Sequence, residues 1–241
     1  MSSPVATVGR RPVYLVIGAT SLAAALIGFV PTFFLPMARQ TFHAPPIVFV
    51  HGALAFAWVS LFFLQPALVR AGNYWLHIRL GAVGAILAIA LAGTGIAVGS
   101  YSVTRDLASG MGEIAISNIV GTCTSLVMFL ALVAAGVANR GKPEFHKRFM
   151  LLATVLVTWP AWFRFRHYFP SAPHPEIVFA FAPVAILTVA AMLADWRAVG
   201  RVHPVYAVWG NSIIAEQIGE LLLYDSPGWR TVGHVLYGWV N

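Results

Sequence analysis

Eight histidines are the residues of this 241-residue chain best suited to chemistry. Four of them, His51, His77, His146 and His167, stand where a long apolar run begins or ends. Neutral imidazole ligates haem iron, copper or zinc, and bundle cores commonly host such sites. A haem held from both sides needs one imidazole from each of two facing helices, room for a flat macrocycle, and cations for its propionates. His77 is followed by Arg79 and by Gly81 and Gly84, which leave space on the first turns of the next run. His146 is followed by Lys147 and Arg148, and Met150 lies one turn on, on the same face. His77 and His146 are therefore the expected ligand pair for a haem b or a metal ion, with Arg79, Lys147 and Arg148 as the cations beside it. His51 and His167 form a second candidate pair, whose aim depends on Pro160 in the run before His167. For each of the four, the alternative is an interfacial histidine hydrogen-bonded to a carbonyl or a lipid phosphate.

The elements that must position these residues follow from composition. The chain is 59% hydrophobic and 10% charged, with a mean hydropathy of +0.78. A soluble domain carries roughly 25% charged residues, because charge covers its surface. This chain has too little to do so, and its outer surface must face lipid. Continuous apolar runs cover 13–35, 47–69, 78–100, 113–137, 149–168 and 177–194. Each approaches the ~20 residues that a helix needs to cross the hydrocarbon. A barrel would show alternating segments of ~10 residues instead. The expected fold is all-α: one polytopic transmembrane helix bundle over 1–241, with six spans plus a C-terminal interfacial or seventh helix.

A net charge of +7 and a pI near 10.1 would suggest nucleic acid in a soluble protein. Here the cations fall in loops between apolar runs, so the bias reads as membrane topology and no nucleic-acid partner is expected. With six spans, one side receives Arg10, Arg11, Arg70, Arg79, Arg140, Lys142, Lys147, Arg148, Arg197 and Arg201, and the other Arg39, Arg105, Arg164 and Arg166. That imbalance places both termini in the cytoplasm of a bacterium, with the bundle in its inner membrane. His77, His146, His203 and His234 then lie on the inner side, and His43, His51, His167 and His174 on the outer side. Cys123 is the sole cysteine, so no intrachain disulfide forms.

Several stripes carry further expectations. His51, Trp58 and Gln65 recur every seven residues and share a face of the second run. Asn118, Gly121, Thr122 and Ser125 form a polar stripe on the fourth, expected to face the bundle interior. Gly95 and Gly99 are a small-xxx-small pair for close helix packing. The tail 205–224 has spanning length but carries Glu216 and Glu220 one turn apart. At the interface these acids are its wet face; within the bundle they are candidate proton carriers. Trp229, Tyr237 and Trp239 suit a headgroup-level anchor. No glycine-rich phosphate loop, HExxH or nucleophile motif is present, which leaves catalysis open.

The run HGALAFAWVSLFFLQPALVRAG followed by WLHIRLGAVG, with the later PEFHKRFMLLATVL, resembles the cytochrome b561 superfamily. The resemblance implies that His51, His77 and His146 match three of that family's four haem ligands. The remaining ligand belongs at the start of the fourth span, where this chain has no histidine and Asn118 is the nearest polar residue. The family's crossed pairing would keep His77 with His146 and leave His51 only His167 as a substitute partner. A closer resemblance, covering most of the chain, is to bacterial multi-pass proteins with LHRxLG, HKRLMLLAT and GRVHP motifs. Here these read LHIRLG, HKRFMLLAT and GRVHP. The first resemblance implies a haem-b electron-transfer protein with a redox partner. The second implies a membrane fold without a stated activity, which suits a non-enzymatic membrane subunit or assembly factor equally. A metal- or proton-handling transporter is the third expectation.

Overall fold

The computed structural model describes residues 12–241, so Arg10 and Arg11 of the topology argument lie outside the described residues. Among those residues every regular element is helical. Helix α1 runs Pro12–Ala38 through a π turn at Val30–Phe34. Helices α2 (Pro46–Arg70), α3 (Tyr74–Ala108) and α4 (Ile114–Ala138) follow. Pro46 sits in the first turn of α2, where its missing N–H is no loss. The Asn73 side chain accepts the Leu76 N–H and starts α3. Then come α5 (Pro143–Val157), the short α6 (Trp159–Phe163) and a 3₁₀ turn at Arg164–His167. Helix α7 spans Glu176–Val199 and stops at Gly200, whose φ of 75° turns the chain. Helix α8 opens as a π turn at Tyr206–Gly210 and continues as Asn211–Leu223. Ser226 caps α9 (Pro227–Val240) through the Trp229 N–H.

Five helices, α1, α2, α3, α4 and α7, are long and apolar enough to cross a membrane. They leave Ile78, Val83, Ile86 and Ile89 exposed along α3 alone. This is the architecture of an integral membrane protein. The expected span at 149–168 differs from a single helix. It breaks at Thr158, because Pro160 has no N–H for the carbonyl of Leu156 and its ring crowds that carbonyl. Thr158 donates its hydroxyl to the Val155 carbonyl at 2.8 Å and closes the break internally.

Helix α5 is the core. Leu151, Leu152, Ala153, Val155 and Leu156 are fully buried, and α5 touches α1, α2, α4, α7 and α8. Helices α3 and α4 close tightly across small residues. A Cβ at Gly99 would lie 3.1 Å from both Ile119 and Thr122, and one at Gly95 would lie 3.0 Å from Leu126. The small-xxx-small pair therefore packs as its spacing requires. Gly99→Leu is expected to destabilise the bundle by about 1–3 kcal/mol through overpacking, read as a lower midpoint of thermal unfolding in detergent.

Candidate functional site

The first turns of α3 and α5 bring His77 and His146 together. Asn73 caps the α3 turn, and Gln65 of α2 donates to the His77 carbonyl at 3.2 Å, pinning that turn to α2. Pro143 opens α5, and the His146 Nδ1 lies 2.8 Å from the Gly136 carbonyl. A carbonyl only accepts, so Nδ1 is the donor in this bond and Nε2 is the ring nitrogen left to act as a ligand. The two rings lie with centroids 6.4 Å apart and planes at 88°. Two imidazoles on opposite sides of one metal, each nitrogen about 2 Å from it, have centres about 6 Å apart. The spacing of the pair matches that separation.

The inward face of α2 and the start of α3 carry buried polar atoms that are incompletely satisfied. His77 Nδ1, Gln65 Oε1 and Trp58 Nε1 are buried with no hydrogen-bond partner. Trp58 is 2% exposed and stands edge-on to Phe129 at 4.9 Å. The His51–Trp58–Gln65 face of α2 thus looks inward, as its seven-residue spacing predicts.

The cations divide. Arg79 stacks over the Trp75 ring at 4.0 Å on the exposed start of α3. Lys147 pairs with Glu144 at 2.7 Å and lies 5.5 Å from the Tyr14 ring centre. Arg148 is only 1% exposed and turns towards α7. It donates Nε to Asp195 Oδ2 at 3.1 Å, Nη2 to Asp195 Oδ1, and Nη1 to Glu144 Oε2 at 2.8 Å. Arg148 is therefore committed to a buried ion pair. Of the three expected cations only Arg79 stands outside a carboxylate pair, and Gly84, expected to leave space beside His77, packs against Leu61 of α2, where a Cβ would lie 2.9 Å from its side chain. Asp195 and Glu144 are the residues that motif reading passes over. Asp195 falls one residue past the end of the sixth apolar run, where an acid reads as an ordinary span-end residue.

The node continues into the turn before α8. The His203 backbone N–H donates to Asp195 at 3.2 Å, and the His203 Nδ1 accepts the Val205 N–H at 3.2 Å. Its ring stands edge-on to Phe145 at 4.6 Å. Burial, and then the positive charge of Arg148, lower its pKa from the ordinary 6.5. At Glu144 burial alone would raise the carboxyl, but hydrogen bonds and charge from Lys147 and Arg148 hold it below its ordinary value.

The outer histidines have separate surroundings. His51 Nδ1 lies 3.1 Å from Thr94 Oγ1, whose own proton goes to the Ala90 carbonyl at 2.8 Å. His167 is exposed on the 3₁₀ turn. Beside it, Arg164 donates to the Pro160 carbonyl at 2.7 Å and to Thr32 at 3.2 Å, and Arg166 lies over Phe163 at 3.8 Å. Among the described residues no ring contact joins His51 to His167; His51 is instead tied to α3.

A polar seam joins α4 to α8. Thr124 donates to Glu216 at 2.8 Å, Glu220 presses on Gly121, Tyr224 donates to Asn118 at 2.6 Å, and Ser117 donates to Asp225 at 2.8 Å. The numbers fall on α4 as they rise on α8, so the helices are antiparallel. Glu216 and Glu220 thus face a neighbouring helix. The expected polar stripe on α4 divides its contacts, with Thr122 against Gly99 of α3 and Gly121 against Glu220 of α8.

Comparison of the chain with protein-family models, curated proteins and solved structures finds no match.

The His203 geometry has a pH consequence. Its folded pKa lies below its unfolded one, so the stability it contributes is present above about pH 6.5 and is lost as pH falls through the lower folded value. Protonating Nδ1 also removes the acceptor for Val205. Thermal stability in detergent is expected to fall as pH drops from 7 towards 5, and the fall is expected to be smaller in His203→Asn.

Proposed function

We propose that this chain is a multi-pass electron-transfer protein of a bacterial inner membrane, with a b-type haem held between His77 and His146. The observation that supports this most is the pair itself: two imidazoles at ligand separation, one with its tautomer set by the Gly136 carbonyl. Such a bond to the distal ring nitrogen orients a ligating histidine and raises its basicity. When bound, haem b supplies a reversible one-electron couple whose potential depends on its axial ligands and burial. The protein orients the His146 ring through the Gly136 carbonyl and fixes the backbone turn that carries His77 through the Asn73 cap and the Gln65 bond.

In this reading α8 is a seventh span. It begins beside Asp195 at the end of α7 and finishes beside Ser117 and Asn118 at the start of α4. Both α4 and α7 are long enough to cross, and α8 runs antiparallel to α4 between these ends. The N-terminus is then cytoplasmic and α9 lies on the outer surface, which replaces the cytoplasmic C-terminus that six spans predict.

A second reading, a membrane subunit without a cofactor, has one observation in its favour. Lys147 and Arg148, expected at haem propionates, are engaged by Glu144 and Asp195. Absorption spectra of the purified protein, oxidised and reduced, with metal analysis, separate the two. A Soret band with split reduced bands is expected, lost in both His77→Ala and His146→Ala but kept in His167→Ala. Purified protein without any haem absorbance, after expression with haem supplied, sinks the redox reading and favours the second.

A further inference from the structure

Helices α4, α8 and α9 flank an open groove of about 450 Å³, lined among others by Cys123, Thr124, Val127, Ala131, Trp209 and Glu216. That volume falls within the range of roughly 300–1,000 Å³ typical of small-molecule sites. Its mouth faces sideways: Val127, on the apolar span α4, is 68% exposed. The lining is apolar apart from one well-defined group. Glu216 accepts the Thr124 hydroxyl through Oε1, while Oε2 is buried with no hydrogen-bond partner.

A buried acceptor left unpaired costs about 1–3 kcal/mol, which a donor on a ligand would recover. Intramembrane acids are seldom kept without use. The occupant must therefore reach the site through lipid, present a hydrogen-bond donor and place an apolar body beside the Trp209 indole. A phospholipid head would set phosphate against carboxylate. A hydroquinone sets a hydroxyl there instead, and its ring suits an aromatic wall.

We propose that this groove binds a lipophilic hydroquinone, with one ring hydroxyl donating to Glu216 Oε2, the ring against Trp209 and the tail in the bilayer. The reason for binding such a ligand rests on the redox reading above; the binding itself does not.

The test is saturable binding of a tritiated decyl-substituted benzohydroquinone to the full chain in nanodiscs, kept reduced, measured over empty nanodiscs. Wild type is expected to bind saturably. Glu216→Leu is expected to weaken binding about tenfold, the loss of one hydrogen bond. Thr124 keeps the Gly121 carbonyl as an acceptor in that variant, so no donor is stranded. Val127→Trp, at an exposed position that the fold tolerates, is expected to block the mouth and abolish binding. His77→Ala is expected to bind as wild type does, whether or not the protein shows haem absorbance, which keeps failure of this proposal distinct from failure of the redox reading. Binding no greater than to empty nanodiscs would overturn it. So would equal binding by wild type, Glu216→Leu and Val127→Trp.

Discussion

Arg148 carries a full positive charge into the bundle, and the structure depends on how Asp195 meets it. An isolated charge in a low-dielectric interior is expensive, and its removal from water is offset only by good geometry and further hydrogen bonds. Here both are present. Asp195, 3% exposed, takes two of the guanidinium's N–H groups, and the carboxylate and backbone carbonyl of Glu144 take two more. The pair ties α5 to α7, and through the His203 backbone it ties both to the turn that launches α8. Tyr206, buried at the start of α8, lies 5.7 Å beneath the guanidinium and closes the node.

That tie explains why an amphipathic, interrupted helix can be the centre of an apolar bundle. Helix α5 begins with charged residues and ends at a proline-induced break, yet its middle is fully buried. Rotating it to expose Arg148 would expose Leu151, Leu152 and Val155 with it. Because Arg148 fixes the rotation of α5 about its axis, His146, two residues before, can only face α3 and α4, where it meets Gly136 and His77. The candidate site is therefore a consequence of the ion pair: one face of the first turn holds the charge and the other presents the imidazole.

Hydrophobic run lengths make the membrane fold legible, since lipid imposes a length of ~20 residues on every crossing helix. The seven-residue spacing of His51, Trp58 and Gln65 and the small-xxx-small pair on α3 also read correctly, because helical periodicity states which residues share a face. Partner choice was less legible. Lys147 and Arg148 stand next to His146 in sequence, but adjacent residues on a helix diverge by about 100°, so neither needs to point where His146 points. The partner of Arg148 lies 47 positions away, just past the end of an apolar run, where an acid does not stand out. The tail is the hardest case. Glu216 and Glu220 depress its hydropathy below that of a spanning helix, and only the complementary residues of α4 reveal what satisfies them.

The dependence of the fold on one pair is directly measurable. A double-mutant cycle on Arg148→Met and Asp195→Leu, read as unfolding free energy in detergent, isolates the coupling between the two side chains. Either single change strands a buried charge and is expected to cost about 3–5 kcal/mol, whereas the double change leaves two apolar groups and is expected to cost far less than the sum. Additive losses would contradict the account, since they would mean that Arg148 and Asp195 are held in place independently of each other.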